Sequence, residues 1–203
     1  MGCSIKKDLI DKTIAFHGHS CPGLVIGIRA AELALQRLGP AEAKDLVAVV
    51  ETDMCGVDAI QFLTGCTFGK GNLVHKDYGK MAFSFYDRTK NLGFRAVLRP
   101  DISGGLSSEI RNLMENVEDG TANEDDHARL RRLRRDLQER YMTADLEEMF
   151  IVTEPSSPVP KPARILQSLR CEACGEMTME SRTRRFGGKT LCLSCFEKVE
   201  QKT

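Results

Sequence analysis

Residues 16–38 read FHGHSCPGLVIGIRAAELALQRL and combine a group of metal-ligating side chains with the start of a helix. Pro22 suits the first turn of a helix, where its missing N–H costs nothing. Gly39-Pro40 supplies a stop signal. We therefore predict a helix over residues 22–38 that packs on the core through one apolar face, formed by Leu24, Ile28, Ala31, Leu35 and Leu38.

The composition is that of an ordinary globular chain of 203 residues, with 41% hydrophobic and 29% charged residues. Lys plus Arg and Asp plus Glu both number 29, so no global charge favours nucleic acid or an anionic membrane. No apolar run approaches the roughly 20 residues of a membrane helix, and the first residues do not form a secretory signal. We expect a soluble cytoplasmic protein that does not bind membranes, in which the eight cysteines stay reduced.

The first part of the chain predicts helices at both ends of a few strands. Strand patterns cover 46–50 and 82–87, and the second pairs with 93–99 as a hairpin. We expect an α+β fold with helices packed on a small mixed or antiparallel sheet. The remaining helices are predicted at 8–16, at 57–63, from a cap at Ser107 or Ser108 to about Val117, at 124–141, and after a cap at Thr143.

Four of the seven prolines lie between Glu154 and Ala163. This spacing forbids a helix and is typical of an extended, semi-rigid spacer. We therefore predict a core domain over 1–154, a linker over 155–164 and a small second domain over 165–203. The charge divides in the same way, because residues 155–203 carry nine basic and five acidic side chains, or +4, and leave −4 for the rest.

Two cysteine pairs in the second domain have the spacing of a structural zinc site. Cys171-x-x-Cys174 and Cys192-x-x-Cys195 are separated by 17 residues, as in zinc ribbons that bind one Zn²⁺ with four thiolates. A module of about 40 residues has too little core to fold without such a staple. Gly187-Gly188-Lys189 suits a hairpin turn before the second pair, and a short closing helix is expected over 194–199.

Four cysteine ligands leave no open coordination position, so the zinc is expected to hold a surface and not to react. Arg182, Arg184 and Arg185 form a small basic stripe, but only Phe186 and Phe196 are available for stacking on bases. We expect the finger to dock a protein partner or stabilise a dimer, with nucleic-acid binding as the weaker alternative.

The segment before the first long helix contains His17, His19 and Cys21. If it is extended, the three side chains point to one side and form a metal site. Cys21 also precedes a helix start, where free N–H groups favour a thiolate nucleophile. The alternative is a tight turn in which one histidine bonds to the backbone and Cys21 is a small buried apolar residue.

Polar and thiol side chains also follow the strand at 46–50. Asp53 and Cys55 come before a short helix, and Cys66 comes after it, at positions where sheets build clefts. Lys70 lies among Gly65, Gly69 and Gly71, where it could hold an anion. This loop lacks the spacing of a phosphate-binding P-loop.

Three linked motifs, Phe16-His17-Gly18-His19-Ser20-Cys21-Pro22-Gly23-Leu24, Asp53-x-Cys55-x-x-Asp58-Ala59-Ile60-Gln61 and Gly65-Cys66-Thr67-x-Gly69-Lys70-Gly71-Asn72-Leu73, followed by Tyr78-Gly79-Lys80, resemble the FmdE family of formylmethanofuran dehydrogenase subunits over residues 10–150. The finger resembles the one that some members carry at the C-terminus. The resemblance implies an α+β core paired into a homodimer, with motif residues lining a cavity that binds a metal. It does not imply catalysis by this chain, since the molybdenum or tungsten chemistry of the parent enzyme belongs to other subunits.

Mapped onto this chain, the motifs give a site of His17, His19, Cys21, Asp53, Cys55, Cys66 and Lys70, with Tyr78 and Lys80 as second choices. His75 and His127 are interpreted as surface residues. A mixed His and Cys set suits a transition metal such as zinc, nickel or iron. The metal ligands are then expected from His17, His19, Cys21, Cys55 and Cys66.

Three functions follow from these patterns. The first is a metal-binding protein whose finger docks it to a partner or to its own second copy. The second is a metal- or thiol-dependent enzyme of one-carbon or pterin-type metabolism, with Cys21, His19, Asp53 and Lys70 as catalytic residues. The third is a regulator that senses metal or binds nucleic acid through the arginines of the finger.

Overall fold

The computed structural model describes residues 2–39, 45–155 and 157–199, and divides into two compact units, Met1–Pro162 and Ala163–Thr203. Pro40 of the predicted helix stop lies outside the described residues, as do Ser156 of the predicted linker and residues 200–203 of the predicted finger domain. Each unit has its own hydrophobic core.

The first unit is built on a mixed sheet of five strands in the order β2-β1-β3-β4-β5. β1 and β2 are parallel, and the other neighbours are antiparallel. This sheet confirms the predicted α+β class, although β2 and β5 were not predicted. The strands are β1 (Leu46–Val50), β2 (Leu73–His75), β3 (Ala82–Asp87), β4 (Leu92–Leu98) and β5 (Phe150–Thr153).

In the described part of this unit, six helices surround the sheet: α1 (Lys7–His17), α2 (Pro22–Leu38), α3 (Gly56–Thr64), α4 (Leu106–Glu118), α5 (Glu124–Thr143) and α6 (Leu146–Met149). Two predicted caps are wrong. α4 begins after Gly105, whose positive φ of 89° suits glycine, so both serines lie inside its first turn. Thr143 ends α5 and donates its hydroxyl to the Glu139 carbonyl, while Asp145 stands at the N-cap of α6.

α2 is the central helix of the core. Its residues from Leu24 to Ala34 are all buried, and Val25, Ala30 and Leu33 belong to the same apolar cluster as Val50 and Phe85 of the sheet. The buried Arg29 sits inside α2 without exposed surface, where its guanidinium donates to the Met142 and Ala144 carbonyls. These bonds tie the end of α5 to α2 and so fix the layer behind the site.

The proline-rich segment packs on the sheet and does not form a free linker. Val159 contacts a small cluster that includes Tyr86, and the Tyr86 hydroxyl lies 3.2 Å from the Ser157 carbonyl. Arg88 donates through Nε to the Pro160 carbonyl at 3.0 Å. Because these contacts cover the sheet face opposite α2, the unit ends at Pro162 and not at residue 154.

The second unit consists of two small hairpins and a short helix. β6 (Ser168–Arg170) pairs with β7 (Met177–Met179), and β8 (Thr183–Phe186) pairs with β9 (Lys189–Cys192). The predicted turn at Gly187-Gly188 is present, with φ of 57° and 80°. A 3₁₀ turn spans Glu180–Arg182, and the closing helix α7 (Leu193–Phe196) is shorter than predicted.

Among the described residues, the structure has no helix that is long and apolar enough to cross a membrane.

Candidate metal centre

The first unit brings four predicted site residues together. One ligand atom from each of His17, His19, Cys21 and Cys55 lies within 4.8 Å of the corresponding atoms of the other three. Two histidines and two cysteines form a donor set that suits zinc and other borderline transition metals. The four residues come from the end of α1, the bend before α2 and the residue before α3.

His17 reaches the group from a helix and not from an extended segment. It is the last residue of α1, and Gly18 ends the helix with a left-handed φ of 94°. The chain turns at this point, so His19 lies beside His17 with ring centroids 4.5 Å apart. The convergence that the sequence predicts from strand alternation is therefore produced by a helix end and a glycine turn.

Cys21 and Cys55 each stand at the N-terminal end of a helix. Cys21 has an extended backbone and is the N-cap of α2, where its Sγ accepts the Leu24 N–H at 3.3 Å. Cys55 immediately precedes α3. Burial raises the pKa of the Cys55 thiol, and the neighbouring Cys21 thiol raises it further. A positive metal ion at this point would favour the thiolate that burial disfavours.

A contact between glycines sets the distance between the two cysteines. A Cβ added at Gly27 in α2 would lie only 2.0 Å from the Gly56 carbonyl oxygen at the start of α3. A Cβ at Gly56 would in turn lie 3.0 Å from the Gly27 nitrogen. The backbones of α2 and α3 therefore meet without side chains between them, which holds the two helix starts close together.

Asp58 holds the ring of His17. Its Oδ2 lies 2.7 Å from Nδ1 of His17, and the histidine side chain is 10% exposed. Nε2 of His17 is buried without a hydrogen-bond partner among the described residues. A carboxylate on Nδ1 favours the tautomer that leaves the Nε2 lone pair free, which is the usual arrangement of a metal-binding histidine.

Sequence reasoning quoted Asp58 in a motif but did not assign it to the site. Its position three residues after Cys55 was a usable signal, because residues three apart share a helix face.

A cleft of ≈ 320 Å³ adjoins the group. His17 and Cys55 lie on its wall, together with the carboxyl groups of Asp53 and Asp58. The cleft opens beyond the ends of the parallel strands β1 and β2, where Thr52 and His75 line it. Clefts at the carboxyl ends of parallel strands are common ligand sites. His75, interpreted from the sequence as a loop residue, ends strand β2 and lines this cleft.

Two predicted site residues lie elsewhere. Cys66 is fully buried in the core, and its thiol lies 3.3 Å from the Leu46 carbonyl, so its expected role as a ligand of this group is wrong. Burial raises its pKa. Lys70 is exposed and lies in the turn before β2, outside the cleft lining.

Three further residues considered from the sequence lie on the surface. Tyr78 is exposed with the Lys80 ammonium group 5.9 Å from its ring. His127 is exposed on α5.

The second group is formed by Cys171, Cys174, Cys192 and Cys195, whose sulfur atoms also lie within 4.8 Å of one another. Cys171 and Cys192 are buried, and the Cys192 N–H donates to the Cys171 sulfur at 3.3 Å. Backbone N–H groups from Cys174, Cys192 and Ala173 lower the pKa of Cys171 to about 6. The neighbouring thiols raise the pKa of Cys195 to about 12, a crowding that a bound cation would relieve.

Comparison with known families agrees with both groups. A family model described as "FmdE, Molybdenum formylmethanofuran dehydrogenase operon" matches residues 16–151, two thirds of the chain. The chain belongs to the FmdE family. A second model, the prokaryotic dksA/traR C4-type zinc finger, matches residues 164–201. The FmdE match therefore contains His17, His19, Cys21 and Cys55, and the finger match contains all four cysteines of the second group.

Two relatives of this FmdE-family chain are similar over most of its length. A probable S-adenosyl-L-methionine-binding protein of Archaeoglobus fulgidus is 30% identical over 190 residues, which are 89% of this chain. This chain spans only 50% of that relative. The crystal structure of an FmdE-like protein of tungsten formylmethanofuran dehydrogenase from Syntrophus aciditrophicus is 26% identical, with a TM-score of 0.60, and the match covers 94% of this chain and 91% of the other.

Proposed function

We propose that this FmdE-family chain binds a transition metal in its core, at His17, His19, Cys21 and Cys55, and a structural zinc ion in its finger. The observation that carries the proposal is the convergence of four ligand atoms within 4.8 Å, with a buried Nε2 that has no hydrogen-bond partner among the described residues. Burying such a nitrogen without a partner is costly, and a metal ion would satisfy it. Zinc, nickel and iron all accept this donor set.

The metal content of the full chain tests this proposal. We expect about two metal ions per chain after purification without chelators, one for each group of four donors. Replacing both Cys21 and Cys55 with Ser is expected to remove one ion, and replacing both Cys174 and Cys195 with Ser to remove the other. Cys3→Ser is the matched control, because Cys3 is a half-buried thiol outside both groups. Equal metal content in the Cys21/Cys55 variant and the wild type would contradict a core site.

The cleft beside the core site supports a second candidate, an enzyme or carrier that binds a small molecule next to the metal. Of the residues predicted to be catalytic, His19 and Cys21 belong to the metal group and Asp53 lines the cleft. The name of the Archaeoglobus relative makes S-adenosylmethionine the first ligand to test, by calorimetric titration of the metal-loaded chain. A Val57→Trp change would fill the cleft, and it should abolish any such binding. Binding that is unaffected by this change would exclude the cleft as the site.

We further propose that the finger docks a protein, either a partner or a second copy of this chain in the cytoplasm, where its thiols stay reduced. Met177, Met179 and Phe186 are 59%, 51% and 43% exposed, and such apolar side chains favour a protein surface. Replacing the two methionines with Ser should weaken self-association or partner binding in sedimentation experiments. Tight nucleic-acid binding that falls with salt and with Arg184→Ala would instead favour the regulator.

A further inference from the structure

Three of the four core donors are fixed by the surrounding structure. Asp58 bonds to the His17 ring, and the Leu24 N–H bonds to the Cys21 sulfur. Cys55 is held against α2 by the contact between Gly27 and Gly56. All three donors are half-buried. Each therefore has a defined position before any metal binds, which reduces the ordering entropy that binding costs.

His19 differs from the other three donors. It is exposed, and its ring contacts the ring of His17. Within residues 2–39, 45–155 and 157–199, the structure gives its side chain no hydrogen bond. Its main chain lies between the left-handed Gly18 and Ser20, whose hydroxyl bonds to Gln138 of α5. The bend is therefore anchored next to His19, while the imidazole itself is free to turn toward solvent.

The adjoining cleft defines what could replace the imidazole. Its wall includes His17 and Cys55, so a molecule in the cleft lies next to the bound metal. Asp53 and Asp58 are the charged residues of this lining in the described part of the chain, and Met54, Val57 and Leu73 add apolar surface. Two carboxylates repel an anion, so the cleft favours a neutral or positively charged molecule.

We propose that His19 is an exchangeable ligand, and that a small neutral or cationic molecule with a nitrogen or sulfur donor takes its place on the metal. This inference rests on the proposed core metal and adds a ligand-binding role to it. His17, Cys21 and Cys55 then form a fixed three-ligand site of the open type that catalytic zinc proteins use, whereas four fixed ligands would make the site purely structural.

The test uses the full chain loaded with cadmium, because cadmium NMR gives separate resonances for a site of four thiolates and a site of two thiolates and two imidazoles. His19→Ala and His17→Ala are matched variants with the same substitution two positions apart. We expect His19→Ala to keep the core resonance, shifted, and to lower cadmium affinity in a chelator competition by about tenfold or less. His17→Ala is expected to lower it by about a hundredfold or more.

Imidazole is the probe for exchange. Added to His19→Ala, it should move the core resonance toward its wild-type position and leave the finger resonance unchanged, which also shows that the finger stays folded. Loss of core cadmium in His19→Ala equal to that in His17→Ala, or a core resonance that does not respond to imidazole, would overturn the proposal while leaving the core metal site intact. A wild-type chain without a core resonance would overturn both.

Discussion

Oδ2 of Asp58 lies 2.7 Å from Nδ1 of His17, which joins the first turn of α3 to the last residue of α1. The bond fixes the histidine tautomer and aims the buried Nε2 at the two cysteines. Removal of such a carboxylate typically lowers metal affinity by about 10–100-fold.

Asp58→Asn should therefore lower the affinity of the core site by about 10–100-fold, as measured by competition with a chelator. Asp58→Glu should recover part of this loss, since it restores a carboxylate. Asp8→Asn is the control, because Asp8 is an exposed residue of α1 that pairs only loosely with Lys12. If Asp58→Asn and Asp8→Asn bind metal equally well, Asp58 has no role in positioning His17.

Gly27→Ala should disrupt the site without touching any ligand. The new Cβ would lie 2.0 Å from the Gly56 carbonyl oxygen, so α2 and α3 must move apart and separate Cys21 from Cys55. Overpacking of this kind costs about 1–3 kcal/mol of the free energy of unfolding. We expect a lower urea midpoint and less core metal, with finger zinc unchanged. Gly69→Ala is the matched control, since no atom lies within 4 Å of its added Cβ.

Asp87 should make the stability of the first unit depend on acid. Its side chain accepts bonds from the Thr89 hydroxyl and from backbone N–H groups, which lower its pKa from 3.8 to about 2. A lowered folded pKa means that the stabilisation is complete above 3.8 and is lost as the pH falls through about 2. The difference in urea midpoint between wild type and Asp87→Asn should therefore be largest near neutral pH and shrink below pH 3.8. A difference that is constant across this range would assign the stability of this turn to something other than the Asp87 charge.

Zinc removal should unfold the finger and leave the first unit folded. The finger core contains little beyond Leu191 and the ligands Cys171 and Cys192, so the metal supplies most of its stability. In the Cys174/Cys195→Ser variant, we expect fast amide exchange across β6–β9 with protection of β1 and β3 retained. Slow exchange in the finger hairpins of that variant would show that they fold without metal.

The sequence predicted the elements whose signals are local. The finger cysteines have a spacing that few other structures use, and Cys21-Pro22 marks a helix start that the structure confirms. β2 and β5 escaped because they are short, three and four residues, and gain their stability from neighbours that are distant in the chain. The Cys66 motif pointed to the site, but the thiol turns inward to the Leu46 carbonyl after Gly65 ends α3.

The features that position the site depend on contacts between separate helices. Gly27 and Gly56 are 29 positions apart in the sequence, and neither carries a side chain that could announce their contact. Asp58 and His17 likewise meet only because α1 and α3 are neighbours in the fold. Such pairs become visible only when the tertiary structure is known.

The proline-rich segment sets a lower limit on the length of any fragment that keeps the first unit intact. Val47, Val49 and Tyr86 form a cluster that Val159 helps to cover. A protein ending at Glu154 would leave this apolar sheet face in water and would be prone to aggregate. The shortest fragment suited to separate study therefore ends at Pro162, and a low metal content in anything shorter would report a damaged sheet and not an absent site.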